Sequence, residues 1–115
     1  MKEGAGPERL TGDELVRLLA ALSNPHRLRI LAALHGGRVH VSQLARDVSL
    51  SRPLVHVHLQ RLEAAGLVSG SLELSEEGKA MKFFAVNPFS VSLTPEAVAE
   101  AARTLSSEET KEEEQ

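Results

Sequence analysis

Between residues 11 and 66 the chain is cut into four short amphipathic blocks, each bounded by residues that start or stop helices. No block is long enough to be stable alone, so the chain must fold by packing short helices on one another. The first block opens on Thr11-Gly-Asp-Glu14, a capping box with a hydroxyl at the helix start and a carboxylate three residues on. Leu15, Val16, Leu18, Leu19 and Leu22 follow at helical spacing and predict a helix over 13–22. Ser23-Asn24-Pro25 ends it and starts the next, with Asn24 as cap and Pro25 where a missing N–H costs nothing. Leu28, Ile30, Leu31 and Leu34 are expected on one face of that second helix, and Gly36-Gly37 closes it. Val41–Asp47 predicts a short third helix with Leu44 and Val48 inward. Ser51 caps a fourth, with Pro53 in its first turn, Val55, Leu59 and Leu62 on one face, and Gly66 at its end.

After Gly66 the period changes from helical to two. Leu67–Leu74 alternates apolar with small or polar residues, Glu76-Glu77-Gly78-Lys79 reads as a turn, and Met81–Val86 as a second strand. The pair predicts a β-hairpin with a charged tip, closed by Asn87-Pro88. Thr94-Pro95-Glu96 starts a fifth helix, expected to run to about 106, whose stripe of Ala97, Val98, Ala101, Ala102 and Leu105 allows close approach. The order is helix-helix-helix-helix-strand-strand-helix. It is mainly α with a β-hairpin wing, a winged helix-turn-helix, in one folded domain over 11–106. Residues 1–10 are expected to be a flexible N-terminal segment and 107–115 an acidic disordered tail.

Composition narrows the function. With 115 residues and no cysteine, disulfides, thiolate metal sites and thiol catalysis are excluded. No apolar run approaches the roughly 18 residues of a membrane span, and MKEGAGPERL is not a signal peptide, so a cytoplasmic location is expected. Three aromatic residues argue against a stacking platform for single-stranded nucleic acid. The net charge of −3 is misleading, because EETKEEEQ at the end contributes −4. Residues 25–88 carry eight basic and five acidic side chains, a local +3 that suits phosphate contact. No nucleophile elbow, phosphate-binding glycine loop or triad is present, so an enzyme is not expected.

The segments LSNPHRLRILAAL, VSQLARDVSLSRPLVHVHLQRLEAAGLV and MKFFAVN, in this order and spacing, resemble the ArsR/SmtB family of bacterial transcription regulators. The resemblance spans about residues 13–106. It implies an obligate homodimer whose first and last helices pack across a two-fold axis. The broad apolar face of helix one and the alanines of helix five fit that independently, since so short a chain cannot cover both itself. It also implies a regulator that binds a double-stranded operator, one half-site per subunit.

On this reading helix four enters the major groove and Ser51, Arg52, Leu54, His56 and Gln60 face outward. Arg52 can chelate a guanine edge, Gln60 and Gln43 can pair with adenine or phosphate, His56 can donate to a purine, and Ser51 can cap and touch phosphate. Lys79 and Lys82, on or near the wing tip, are expected on backbone phosphate, and Arg38 and Arg46 are weaker candidates of the same kind. Arg27 and Arg29 either do the same or support the fold. The bland reading of every one of these bases is a solvated surface charge. The family commonly has Ser then Arg where this chain has His56 and Val57, so the resemblance does not carry the family's operator preference over to this chain. The competing reading is a winged-helix protein-interaction module that does not read DNA, which would show an acidic or apolar face at helix four.

The family usually releases DNA on binding a transition metal. One of its sites uses Cys-x-Cys at the start of the third helix, where this chain has His40-Val41-Ser42-Gln43-Leu44. The other uses histidines on the last helix, where LTPEAVAEAARTLSSEE has none. Of the five histidines, His35 and His40 flank the Gly-Gly loop and could share nickel or zinc with a carboxylate. His56 and His58 stand about 200° apart on their helix and cannot easily share an ion; His58 and His26 are expected to serve the local fold. No cofactor is required. The effector is a metal at an atypical site, a small organic molecule, or a signal sensed by a partner protein.

Overall fold

The computed structural model describes residues 9–106, so most of the expected N-terminal segment and all of the acidic tail lie outside the described residues. The elements are α1 (Gly12–Leu22), α2 (Pro25–Leu34), β1 (Val39–His40), α3 (Val41–Val48), α4 (Arg52–Ala64), β2 (Val68–Leu74), β3 (Ala80–Val86) and α5 (Pro95–Ala102). They divide into two compact units. One runs from Ala21 to Pro88; the other joins the chain up to Ala20 with the chain from Phe89.

The helix starts form as their sequences dictate. The Thr11 N–H donates to Glu14 Oε1 at 3.0 Å and the Glu14 N–H returns to Thr11 Oγ1 at 3.1 Å, a complete capping box. Asn24 Oδ1 accepts from the His26 and Arg27 amides at 2.8 and 3.3 Å. Ser51 Oγ accepts from Leu54 N and Thr94 Oγ1 from Ala97 N. At α3 the cap is His40, whose Nδ1 accepts from the Gln43 amide at 3.3 Å. Gly66, at φ 79°, turns the chain from α4 into the sheet.

In the Ala21–Pro88 unit, Ile30 and Leu34 of α2, Leu44 of α3, Val55, Leu59 and Leu62 of α4, and Leu67, Val68 and Phe84 of the wing are all buried. Each such side chain contributes roughly 1.5–3 kcal/mol. In the other unit Leu15, Leu18 and Ala101 are buried, and Gly12 passes so close to Ala101 O and the Leu105 side chain that a Cβ would collide with them.

Four expectations change. A third strand exists: β1 pairs antiparallel with β3, Val39 opposite Phe84 and His40 opposite Phe83, giving the order β1-β3-β2. Two residues are too few to show a period, so alternation could not reveal it. Leu28 is 52% exposed, because it stands about 200° around α2 from buried Ile30. Val48 is only half-buried. Helix five stops at Ala102, where the last amides tighten onto carbonyls three residues back and Thr104 Oγ1 donates to Ala101 O at 3.0 Å and accepts from Gly12 N at 2.7 Å.

Candidate nucleic-acid interface

Helix α4 is two-sided. Val55, His58, Leu59 and Leu62 are buried, and the rest of the helix from Arg52 to Ala64 is exposed. Arg52, His56 and Gln60 recur every four residues in one exposed row; Leu54, Val57 and Arg61 form a second. Among the described residues the side chains of Arg52, His56 and Gln60 make no hydrogen bond or ion pair, so their donors and acceptors are available to a ligand. Ser51 is exposed beside them with its hydroxyl on the cap.

A polar contact helps hold the buried side. Arg27 Nε donates to His58 Nδ1 at 3.1 Å, and an Arg27 Nη also reaches Ala21 O at 3.4 Å. The His26 ring lies 5.6 Å from that of His58. Burial pushes His58 below its ordinary value of 6.5, and neighbouring Arg27, His26 and Arg61 act in the same direction. His58 is therefore neutral near pH 7, with Nδ1 as acceptor. Arg27 thus serves the fold, one of its two expected roles.

The other candidates are sorted by the same test. The Gln43 amide is engaged at both ends, donating to Asp47 Oδ1 and accepting from Arg46, each at 2.7 Å. Arg38 lies 4.2 Å over the Phe83 ring and pairs with Glu73 at 2.9 Å, bracing one face of the wing. Sequence reasoning missed both that bracket and the exposed leucines of the wing; the two-residue period of Val68, Gly70, Leu72 and Leu74 is the available signal for the second. Lys79 is exposed in the turn between β2 and β3, its ammonium without a partner among the described residues. Lys82 is not at the tip: it sits inside β3, its Nζ 5.7 Å from the Phe84 ring centre.

Among the described residues His35 and His40 join no group of three His, Asp or Glu that could hold an ion. His35 is exposed at the end of α2, and His40 uses Nδ1 for the α3 cap, which leaves the proton of the neutral ring on Nε2. Among the described residues no three His, Asp or Glu converge to hold an ion. No helix among them is long and apolar enough to cross a membrane.

Comparison with known proteins decides the family. The profile of the bacterial regulatory protein arsR family matches residues 24–69, which span α2 to the start of β2. Over 85 residues the chain is 35% identical to the uncharacterized HTH-type transcriptional regulator MJ0229 of Methanocaldococcus jannaschii, covering 74% of this chain and 88% of that one. The chain belongs to the arsR family. This ArsR-family protein is a DNA-binding transcriptional regulator rather than an enzyme. It is also 44% identical over 59 residues to the HTH-type transcriptional regulator CmtR of Mycobacterium tuberculosis, which covers 51% of this chain and 50% of CmtR. Its fold matches the homodimeric winged helix-turn-helix DNA-binding domain Mb0332 of Mycobacterium bovis, with a TM-score of 0.58, 24% identity, and 89% and 81% of the two chains covered. The interaction-module reading is not favoured: the exposed sides of α4 carry Arg52, His56, Gln60 and Arg61, against Glu63 as the one acid of the helix.

Proposed function

We propose that this ArsR-family regulator grips a two-fold operator as a homodimer, each subunit laying α4 in the major groove of one half-site. The observation that carries the reading is the division of α4, with a hydrogen-bonded, packed inner side and an outer row of Arg52, His56 and Gln60 without partners among the described residues. A helix of this kind fits the groove with its first turns at base edges. Arg52 reads guanine, Gln60 and His56 read or support neighbouring bases, Ser51 and Lys79 hold phosphate, and Leu54 meets apolar base or sugar edges.

The dimer reading rests on the unit formed by α1 and α5. Val16, Leu19, Val98 and Leu105 are exposed apolar residues there. An open cleft of about 610 Å³ in the same unit is lined by apolar residues including Leu10, Leu15, Leu93 and Ala101. An apolar surface of this kind is ordinarily covered, and a second copy covers it here.

The effector, on this reading, does not enter a preformed metal cage at His35 and His40. An organic ligand or a sensing partner protein carries the signal. Calorimetric titration with nickel and with zinc checks this, and a saturable site of micromolar affinity would overturn it. The DNA reading is tested by selecting duplexes from a random library with the purified protein. The expected product is an inverted repeat with half-sites about one helical turn apart; no enrichment at low salt would sink the proposal.

A further inference from the structure

The Ala21–Pro88 unit holds a cleft of its own, apart from the exposed row of α4. It is open, about 550 Å³ in volume, and lined by α2 and by the end of α3 with the turn that follows. Small-molecule sites ordinarily measure roughly 300–1,000 Å³. Two opposite charges line this one without pairing. Arg29 is exposed on α2, and its guanidinium makes no hydrogen bond or ion pair among the described residues. Asp47, near the end of α3, accepts from Gln43 through Oδ1, and its Oδ2 has no partner among the described residues. Ala33, Val48 and Leu50 add a half-buried apolar wall.

This lining selects an amphoteric ligand. A phosphate or a simple organic acid would meet Arg29, but also the carboxylate of Asp47. A metal cation would meet Asp47 and be repelled by Arg29. A molecule with both a carboxylate and an ammonium group satisfies both residues, the first as a two-bond pair with Arg29 and the second on the open oxygen of Asp47. A short aliphatic group on the same molecule covers the apolar wall. An aliphatic amino acid has all three parts.

The place of the cleft couples it to the helix that carries the candidate DNA-reading row. Ser49, in the lining, is the left-handed cap of α3 at φ 59° and sets the direction in which the chain leaves for α4. It is the one residue other than glycine with a positive φ among the described residues. His26, also in the lining, has its ring 5.6 Å from that of His58 on the buried side of α4. A ligand here touches both the turn before α4 and a ring that packs beside its buried histidine.

We infer that this cleft is the effector site, that it takes an aliphatic amino acid, and that its occupancy changes the affinity of α4 for the operator. The inference rests on the reading above in which an organic ligand carries the signal, and names that ligand's class.

The test titrates full-length protein in a calorimeter with L-leucine, L-isoleucine and L-valine. Isocaproate, which lacks the ammonium group of leucine, and L-leucinamide, which lacks its carboxylate, are titrated beside them. At least one of the three amino acids should bind saturably, and isocaproate and leucinamide about tenfold or more weaker than leucine. Arg29→Gln and Asp47→Asn should each weaken amino-acid binding about tenfold or more. The melting temperature of the free protein should hold, since both side chains are exposed and the new amide at position 47 still accepts from Gln43. Saturating amino acid should change affinity for the selected duplex about fivefold or more, and the duplex should change amino-acid affinity by the same factor. No saturable binding of any of the three overturns the inference. So does binding that survives both substitutions, which places the amino acid elsewhere, or isocaproate that binds as tightly as leucine. Binding that leaves duplex affinity unchanged overturns the regulatory role. An Arg29→Gln variant that lowers the salt slope of duplex binding, with no amino acid bound by wild type, makes Arg29 a phosphate contact instead. The nickel and zinc titration tests the organic-effector reading separately, so a metal site and an empty cleft are distinct results.

Discussion

Arg27 Nε donates to His58 Nδ1 over 3.1 Å, from the first turn of α2 to the buried side of α4. The contact requires a neutral imidazole, because a protonated one has no acceptor. His58 is the one buried polar side chain of the described residues, at 7% exposure. The helix that carries the candidate DNA-reading row is therefore seated on a bond that acid removes.

The sign of the pH dependence follows. The folded state holds His58 below its ordinary value of 6.5, so at lower pH the unfolded chain binds the extra proton first. Its contribution to stability is complete above about pH 6.5 and declines as pH falls below that. Urea unfolding between pH 7.5 and 5 should show this decline, and Arg27→Ala should cost about 1–3 kcal/mol at pH 7 by leaving Nδ1 unsatisfied. A His58→Gln variant with the same pH profile as wild type would remove His58 as the source.

Arg52→Ala should weaken binding to the selected duplex by about 1–3 kcal/mol and relax preference at one base position per half-site. Repeating the selection with the variant reads this directly. An identical selected sequence at identical affinity means that Arg52 is a solvated charge.

Lys79→Ala should act differently. It should lower affinity for all duplexes alike and reduce the magnitude of the salt slope by about 0.9 for each subunit bound. A slope that does not move places Lys79 away from phosphate.

Gly70 has no room for a side chain: a Cβ would lie 2.8 Å from Lys82 Cε and 2.8 Å from the Phe84 ring. The lysine can swing aside, but the buried ring cannot move without disturbing the core. Gly70→Ala should cost about 1–3 kcal/mol in a denaturant titration. An unchanged midpoint would show that the wing base yields.

Val98→Glu puts a charge on the exposed apolar side of α5. If a second copy covers that side, sedimentation should show monomers and operator affinity should collapse. A dimer of unchanged mass would move the interface elsewhere.

The candidate site is partly legible in the sequence. Ser51, Arg52, Leu54, His56 and Gln60 follow from the inward period of Val55, Leu59 and Leu62, and all five are exposed. Gln43 is a candidate by residue type, and Lys82 by residue type and its place near the wing tip. Residue type cannot show that the amide of one is engaged by Arg46 and Asp47, or that the other lies inside β3 beside Phe84.

The helix starts, the wing and the two sides of α4 are written locally in the chain. Those features rest on interactions that reach three or four residues, such as Thr11 with Glu14 or Asn24 with Arg27, or on a period repeated along one element. The remainder comes from packing between distant segments. β1 exists only because β3 runs beside it. Arg27 and His58 meet across 31 residues, and Arg38 finds Glu73 across the wing. Leu72 and Leu74 carry the alternation of a buried strand, yet stand in the open because the core stops at Phe84 and Val68. A local pattern states which side of an element is apolar; only packing states where the core that would cover it ends.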